Sequence, residues 1–282
     1  MPLVIKASLK FTSPIKPELS EHMVKAGTPA FGSVAIIISL IITFLFFYRT
    51  NEGLIAVITI VLFFLVGFID DFLKVKRVSS DGLKSLTKLL LQIIAALIVS
   101  ILVRNYGYYT NTNKVIYYVL TTFYIVFIVN GVNITDGLDG LATKCSIAPF
   151  IVFAFCFTSI RSISLIALAS YIAFLYYNAP KASVFMGDAG SHMLGSILAL
   201  IGLLSTKPFM MALSCGVFAL ELLSSFIQIF SIRVFKRKVF SIAPIHHALE
   251  KKGYKEEKIC DRFACISFLF SILSVTLFLG AK

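Results

Sequence analysis

The chain has 282 residues, of which 58% are hydrophobic and only 14% are charged. That is too little polar surface to cover a water-soluble globule, so the composition excludes a soluble enzyme and points to an integral membrane protein. The formal charge of +12, from 26 Lys and Arg against 14 Asp and Glu, would suggest nucleic acid in a soluble protein. Here it reads as loop charge facing anionic headgroups, so membrane lipids are expected partners and nucleic acid is not.

Nine apolar stretches approach the roughly 20 residues that a helix needs to cross the hydrocarbon core. They fall at about 31–49, 53–73, 87–103, 114–130, 145–160, 162–178, 189–205, 208–235 and 263–280. The expected fold is therefore all-α and polytopic, with about nine transmembrane helices in a single membrane domain over 1–282. The first thirty residues carry Lys6, Lys10, Lys16 and Lys25 but no long apolar core, so 1–30 is read as a cytoplasmic N-terminal segment and not as a signal peptide. Only Arg161 and Ser162 separate the fifth and sixth stretches, which suggests a tight hairpin. The stretch 208–235 is overlong, which suggests tilt or continuation beyond the bilayer. Cys145, Cys156, Cys215, Cys260 and Cys265 lie in or beside apolar runs without metal-binding spacing and read as packing residues.

With the N-terminus cytoplasmic, all but six of the basic residues (Arg49, Arg104, Lys114, Arg161, Lys207 and Lys282) fall inside, which selects that orientation. The acidic and histidine clusters then share the cytoplasmic face. Asp70 and Asp71 end the second span, Asp136 and Asp139 follow the fourth, Asp188 precedes the seventh, and His246 and His247 lie in the last inner loop. Sequence-distant polar clusters on one face describe a single site held by a helical scaffold.

Adjacent carboxylates such as Asp70-Asp71 repel one another and are tolerated where a metal ion, a lysine or a proton offsets the charge. A solvated helix end beside Lys74, Lys76 and Arg77 is the plain alternative. Lys88 opens the third span from the same face and can meet a phosphate. In NGVNITDGLDGLA, Asp136 and Asp139 stand three apart with glycines that permit close backbone approach, and Asn130 and Asn133 would share a helix face. An interfacial turn would use the same residue types, but seldom so densely. In YNAPKASVFMGDAGS, Asn178 closes one span and Asp188 opens the next, as a single carboxylate ligand for Mg²⁺ or as an ordinary helix cap. His246 and His247 are adjacent and do not share a helix face, so phosphate or sugar contact fits them better than zinc. His22 and Lys25 precede a Gly-Thr-Pro turn at the first span, where a turn alone would explain the composition. Carboxylates for Mg²⁺, basic groups for phosphate and a membrane that presents a lipid together suit phosphoryl transfer.

The segments HMVKAGTPAFGS, DDFLKVKRVSSDGLKSLTKLLLQ, NGVNITDGLDGLA, FMGDAGS and APIHHALEKKGY, in this order from His22 to about Tyr254, resemble the phospho-N-acetylmuramoyl-pentapeptide transferases. These belong to the polyprenyl-phosphate phosphoglycosyl transferase superfamily. The resemblance implies transfer of phospho-MurNAc-pentapeptide from UDP-MurNAc-pentapeptide to undecaprenyl phosphate, giving lipid I and UMP in peptidoglycan synthesis, with Mg²⁺, at the cytoplasmic face of a bacterial inner membrane. By motif matching it implies catalytic roles for Asp70, Asp71 and Asp188, with Asp188 the metal ligand and the aspartate pair near the lipid phosphate, one of the two a candidate base. It implies substrate contacts for Lys25, Lys88, Asn133, Asp136, Gly137, Asp139, Asn178, Phe185, His246 and His247, with Phe185 stacking on uracil. Glu221 and Gln228 match polar positions of the eighth span and are assigned packing or hydrogen bonding. A homodimer is compatible with the resemblance.

Three departures stand out. Ala248 occupies the position of the family's third consecutive histidine, residues 27–33 read Gly-Thr-Pro-Ala-Phe-Gly-Ser where the family reads Gly-Thr-Pro-Thr-Met-Gly-Gly, and the first of the family's ten helices has no counterpart. The alternatives are a polyprenyl-phosphate N-acetylhexosamine-1-phosphate transferase, an ion-coupled transporter, or an inactive homologue. The APIHH…EKKGY loop argues against the first. The aspartates gather at one face and only Glu221 lies at depth, which argues against a midplane transport site.

Overall fold

A computed structural model describes residues 5–6, 27–77, 79 and 81–279. The chain is helical, with no β-strand among the described residues. In chain order the helices are α1 (Ser33–Ile42, continued by a π-helical turn over Thr43–Phe47), α2 (Asn51–Arg77), α3 (Ser85–Asn105), α4 (Lys114–Thr135), α5 (Leu141–Cys156), α6 (Arg161–Asn178), α7 (Gly187–Leu204), α8 (Pro208–Ser214), α9 (Gly216–Phe235), α10 (Ile245–Lys251) and α11 (Glu256–Leu279). Among the described residues, seven helices are long and apolar enough to cross a membrane, and α1 with its continuation and α5 are shorter apolar helices. Large side chains such as Phe47, Phe123, Phe155 and Phe209 project outward from the bundle. That pattern suits lipid as the surrounding solvent.

The core is organised around α7, in which every residue from Ala189 to Leu204 is buried. α2 and α4 pack along it. Contact with α2 is backbone to backbone at Gly67, where a Cβ would collide with the main chain of Asp188 and Ala189. Gly67 therefore lets α2 carry Asp70 and Asp71 directly over the first turn of α7.

The structure departs from the expected boundaries at three places. The overlong stretch 208–235 is two helices, α8 and α9, broken at Cys215. The break is held against α11, where Ser214 Oγ donates to Ser271 Oγ at 2.8 Å and Gly216 lies under the Phe270 ring. The hairpin between α5 and α6 turns at 157–160, before Arg161, whose Nε donates to the Ala154 carbonyl at 3.1 Å and satisfies a free end of α5. The last helix starts seven residues before its apolar run. Its charged first turns are tied to the α4–α5 loop by Glu256 Oε1 on the Asp139 amide (2.6 Å) and to the first turn of α5 by Lys144 on Asp261 (2.6 Å).

The chain direction alternates, so the C-terminal ends of α2, α4 and α6 and the N-terminal ends of α3, α5, α7 and α11 gather at one end of the bundle. Lys25 and His22 lie outside the described residues.

Candidate active site at one end of the bundle

Asp188 stands in the first turn of α7 and is held on every side. Its Oδ2 accepts from Lys74 Nζ at 2.6 Å and from Lys88 Nζ at 2.7 Å, and its Oδ1 accepts from Asn133 Nδ2 at 2.8 Å. Lys74 also pairs with Asp70 Oδ2 at 2.6 Å, while Asp70 Oδ1 accepts the Leu83 amide at 2.7 Å. Asp71, whose Oδ1 lies 3.9 Å from Lys74 Nζ, turns to the backbone of α7. Its two oxygens accept the backbone amides of Asp188 (3.1 Å) and Ala189 (2.9 Å), so it caps α7 from a different helix and places negative charge at the positive end of that helix.

One ligand oxygen from each of Asp70, Asp71 and Asp188 lies within 4.8 Å of the others. Three carboxylates and two ammonium groups leave the cluster one negative charge in excess, and an all-oxygen donor set suits a hard divalent cation. Beside it opens a crevice of about 710 Å³ lined by Asp70, Lys74, Asn133 and Asp188, with Arg77, Lys84 and Lys88 supplying positive charge along its wall. That combination can hold a phosphate next to a cation.

Behind the α4 end, Gly137 lies directly under the His246 imidazole, and a Cβ there would strike Nε2. His246 is fully buried and is oriented by Glu221, which approaches its Nδ1 at 2.9 Å and accepts its backbone amide at 3.1 Å. His246 Nε2 itself has no hydrogen-bond partner among the described residues. His247 Nδ1 lies 2.6 Å from Glu250 Oε2. Asp136 follows the last residue of α4. Burial, reinforced by the charges of Asp188, Asp71 and Asp139, holds its carboxyl well above the usual carboxylate range.

The expected residues thus separate into groups. Asp70, Asp71, Lys88, Asn133 and Asp188 meet in one cluster, and His246 meets Gly137. Asp139 and Asn178 turn their polar atoms onto loop backbone: Asp139 Oδ2 accepts the Ala182 amide, and Asn178 bridges the Gly140 amide and the Val184 carbonyl. Phe185, half-buried, exchanges backbone hydrogen bonds with Pro29 and Gly32, which ties the entry of α1 to the entry of α7. Gln228 holds the loop after α9 through Val239 and Phe240.

Three cluster residues had no assigned role in the sequence reading: Lys74, Gln92 and His192. Their signal is helical spacing, since each stands four residues after a chosen position (Asp70, Lys88 and Asp188) and so shares its face.

Residues 53–206 match the family model described as Glycosyl transferase family 4. The chain is 36% identical over 266 residues to a phospho-N-acetylmuramoyl-pentapeptide-transferase of Thermotoga maritima, covering 91% of this chain and 87% of the relative. It is 36% identical over 295 residues to the protein of that name from Clostridium perfringens (97% and 91%), and 32% identical over 315 residues to that of Rickettsia prowazekii (98% and 87%). The chain belongs to the phospho-N-acetylmuramoyl-pentapeptide-transferase family. The matched glycosyl transferase region contains the whole carboxylate cluster, Lys88, the α4–α5 loop, Asn178 and Phe185. The histidines of this transferase, on α10, lie beyond it, and His246 meets the α4–α5 loop at Gly137.

Proposed function

We propose that this chain transfers phospho-MurNAc-pentapeptide from UDP-MurNAc-pentapeptide to undecaprenyl phosphate, forming lipid I and releasing UMP. The observation that carries the reading is Asp188 held between Lys74, Lys88 and Asn133 beside Asp70, at the mouth of a basic crevice, in a chain whose relatives bear the name of that activity. In the reaction an oxygen of the lipid phosphate bonds to the sugar-bearing phosphorus, and the bond from that phosphorus to the bridging oxygen breaks, so that UMP leaves with the electron pair.

The donor set fits Mg²⁺, with Asp188 as ligand and Asp70 beside it. The ion supplies charge neutralisation on the diphosphate. Lys88, Arg77 and Lys84 attract the lipid phosphate, and Lys74 balances the carboxylates. Asp70 is the better-placed candidate base of the aspartate pair, because it lines the crevice while Asp71 turns both oxygens onto the backbone amides of α7. Asn133, Asp136, Gly137, Phe185, His246 and His247 form the nucleotide side, and Asp139 and Asn178 hold the loops in place; a substrate contact for Lys25, which lies outside the described residues, is assigned by motif matching alone. The whole chain acts as one membrane domain of nine spans, with α1 and α5 crossing as its shortest, and the site faces the cytoplasm of the bacterial inner membrane, as the distribution of Lys and Arg supports.

The test uses purified protein in detergent with undecaprenyl phosphate, following UMP release from UDP-MurNAc-pentapeptide with Mg²⁺ and with EDTA, and from UDP-GlcNAc in parallel. Mg²⁺-dependent release from the muramoyl donor is the expected result. Release only from UDP-GlcNAc would assign the hexosamine-phosphate transfer instead.

A further inference from the structure

Beneath the carboxylate cluster, the three helices that hold Asp188 repeat their pattern one turn deeper. Gln92 follows Lys88 by one turn on α3, Asn130 precedes Asn133 by one turn on α4, and His192 follows Asp188 by one turn on α7. The deeper residues bond to one another. His192 Nδ1 lies 2.7 Å from the Asp188 carbonyl, Gln92 Nε2 lies 2.8 Å from His192 Nε2, and Asn130 Nδ2 donates to Gln92 Oε1 at 2.8 Å and to the Val126 carbonyl at 2.8 Å.

The chemistry of the partners assigns the protons. A carbonyl only accepts, so Nδ1 of His192 carries the hydrogen, and Nε2 accepts from the Gln92 amide. The second hydrogen of that amide faces Asn130 Oδ1 at 3.3 Å. His192 and Gln92 are both essentially fully buried. Apolar side chains would fill these positions without any desolvation cost, so a polar chain here needs a reason beyond packing.

That reason lies in where the chain ends. It ends on the main chain of Asp188, whose amide is already held by Asp71 and whose carboxylate is held by Lys88 and Asn133. The first turn of α7 is thus fixed at its amide, its carbonyl and its side chain. We infer that His192 and Gln92 form a positioning layer that sets the Asp188 carboxylate against Lys88 and Asn133, and so sets how tightly the site holds a divalent cation. The inference rests on the proposed assignment of Asp188 to that cation. It goes beyond it by naming two residues, neither in contact with the ion, that tune the site.

The experiment compares the wild type with His192→Leu, Gln92→Leu and the double variant, measuring thermal unfolding in EDTA, Mg²⁺ affinity by calorimetry, and kcat and KM. His192→Leu takes one partner from the Gln92 amide and Gln92→Leu takes the donor from His192 Nε2, so each should lower the melting temperature, whereas removing both should restore much of it. Mg²⁺ affinity should stay at least about tenfold weaker in all three variants, with kcat reduced and KM for the nucleotide sugar nearly unchanged. A double variant with wild-type melting temperature and wild-type Mg²⁺ affinity would show that the layer only packs, and would overturn the inference. If the double variant fails to fold, His192→Asn decides, because it keeps a donor to the Asp188 carbonyl but loses Gln92. Intermediate Mg²⁺ affinity supports the layer, and wild-type affinity removes it. A wild type that binds no Mg²⁺ takes down the cation assignment itself, an outcome distinct from a bound ion that ignores His192.

Discussion

The Asp71 carboxylate accepts the backbone amide of Asp188 at 3.1 Å, so one member of the acidic cluster holds the helix on which another stands. Asp70, its neighbour in sequence, instead faces Lys74 and the crevice. The pair therefore divides into a carboxylate that caps α7 and one that lines the crevice.

This division predicts opposite signatures for two similar substitutions. Asp71→Ala removes a helix cap and should cost about 1–2 kcal/mol of stability, read as a lower melting temperature in detergent. Asp70→Asn keeps an acceptor for the Leu83 amide and relieves like-charge repulsion. Its melting temperature should equal or exceed the wild type while UMP release falls at least about a hundredfold, a loss of the size seen when one charge-stabilising group is removed. Equal destabilisation by both changes would contradict the division.

Lys74 Nζ lies 2.6 Å from both Asp70 Oδ2 and Asp188 Oδ2, where it competes with any cation for the same oxygens. Lys74→Gln should therefore lower the Mg²⁺ concentration needed for half-maximal rate, because the cluster gains negative charge, while the maximal rate drops for want of the ammonium group. A Mg²⁺ titration of activity and of thermal stability separates the two effects. An unchanged half-saturation point would argue that the ion sits away from these oxygens.

Much of this was legible in the sequence because the bilayer limits what a chain can do. Backbone groups must be satisfied within each span, so an apolar run becomes a helix, and the Lys and Arg bias orders the ends. Asp70, Asp136, Asp188 and His246 could be assigned to one face on that basis. What the sequence did not show was which way each polar group turns once there. Asp71 and Asn178 carry the same residue types as their neighbours but spend their bonds on backbone, a choice fixed by the close packing of α2 on α7 and of the loops on α6. The break at Cys215 was hidden for a similar reason. It depends on α11, more than fifty residues away in sequence, and no proline or charged residue marks it.

The buried pair of Glu221 and His246 gives a prediction about packing beneath the α4–α5 loop. Glu221→Ala removes the partners of both the His246 ring and its amide and should cost about 1–3 kcal/mol. Gly137→Ala drives a methyl group into His246 Nε2 and should cost a similar amount by overpacking. The two sites are coupled through one imidazole, so the double variant should be destabilised by less than the sum of the singles. Simple additivity in thermal unfolding would mean that the ring does not transmit the strain.

Asp136 supplies a pH test. Its carboxyl titrates well above the usual range because of burial and the surrounding carboxylates, so the folded state holds its proton more tightly than the unfolded chain does. Stability from this group is therefore fully present below the ordinary carboxylate pKa and is lost as the pH rises through the raised value. Asp136→Asn mimics the protonated form and should melt higher than the wild type at neutral pH, with the advantage shrinking as the pH falls toward 4. The measurement belongs in EDTA, where no bound cation offsets the charges of Asp71 and Asp188 that help raise the value. An advantage that stayed constant with pH would assign the effect to packing of the amide and not to the charge.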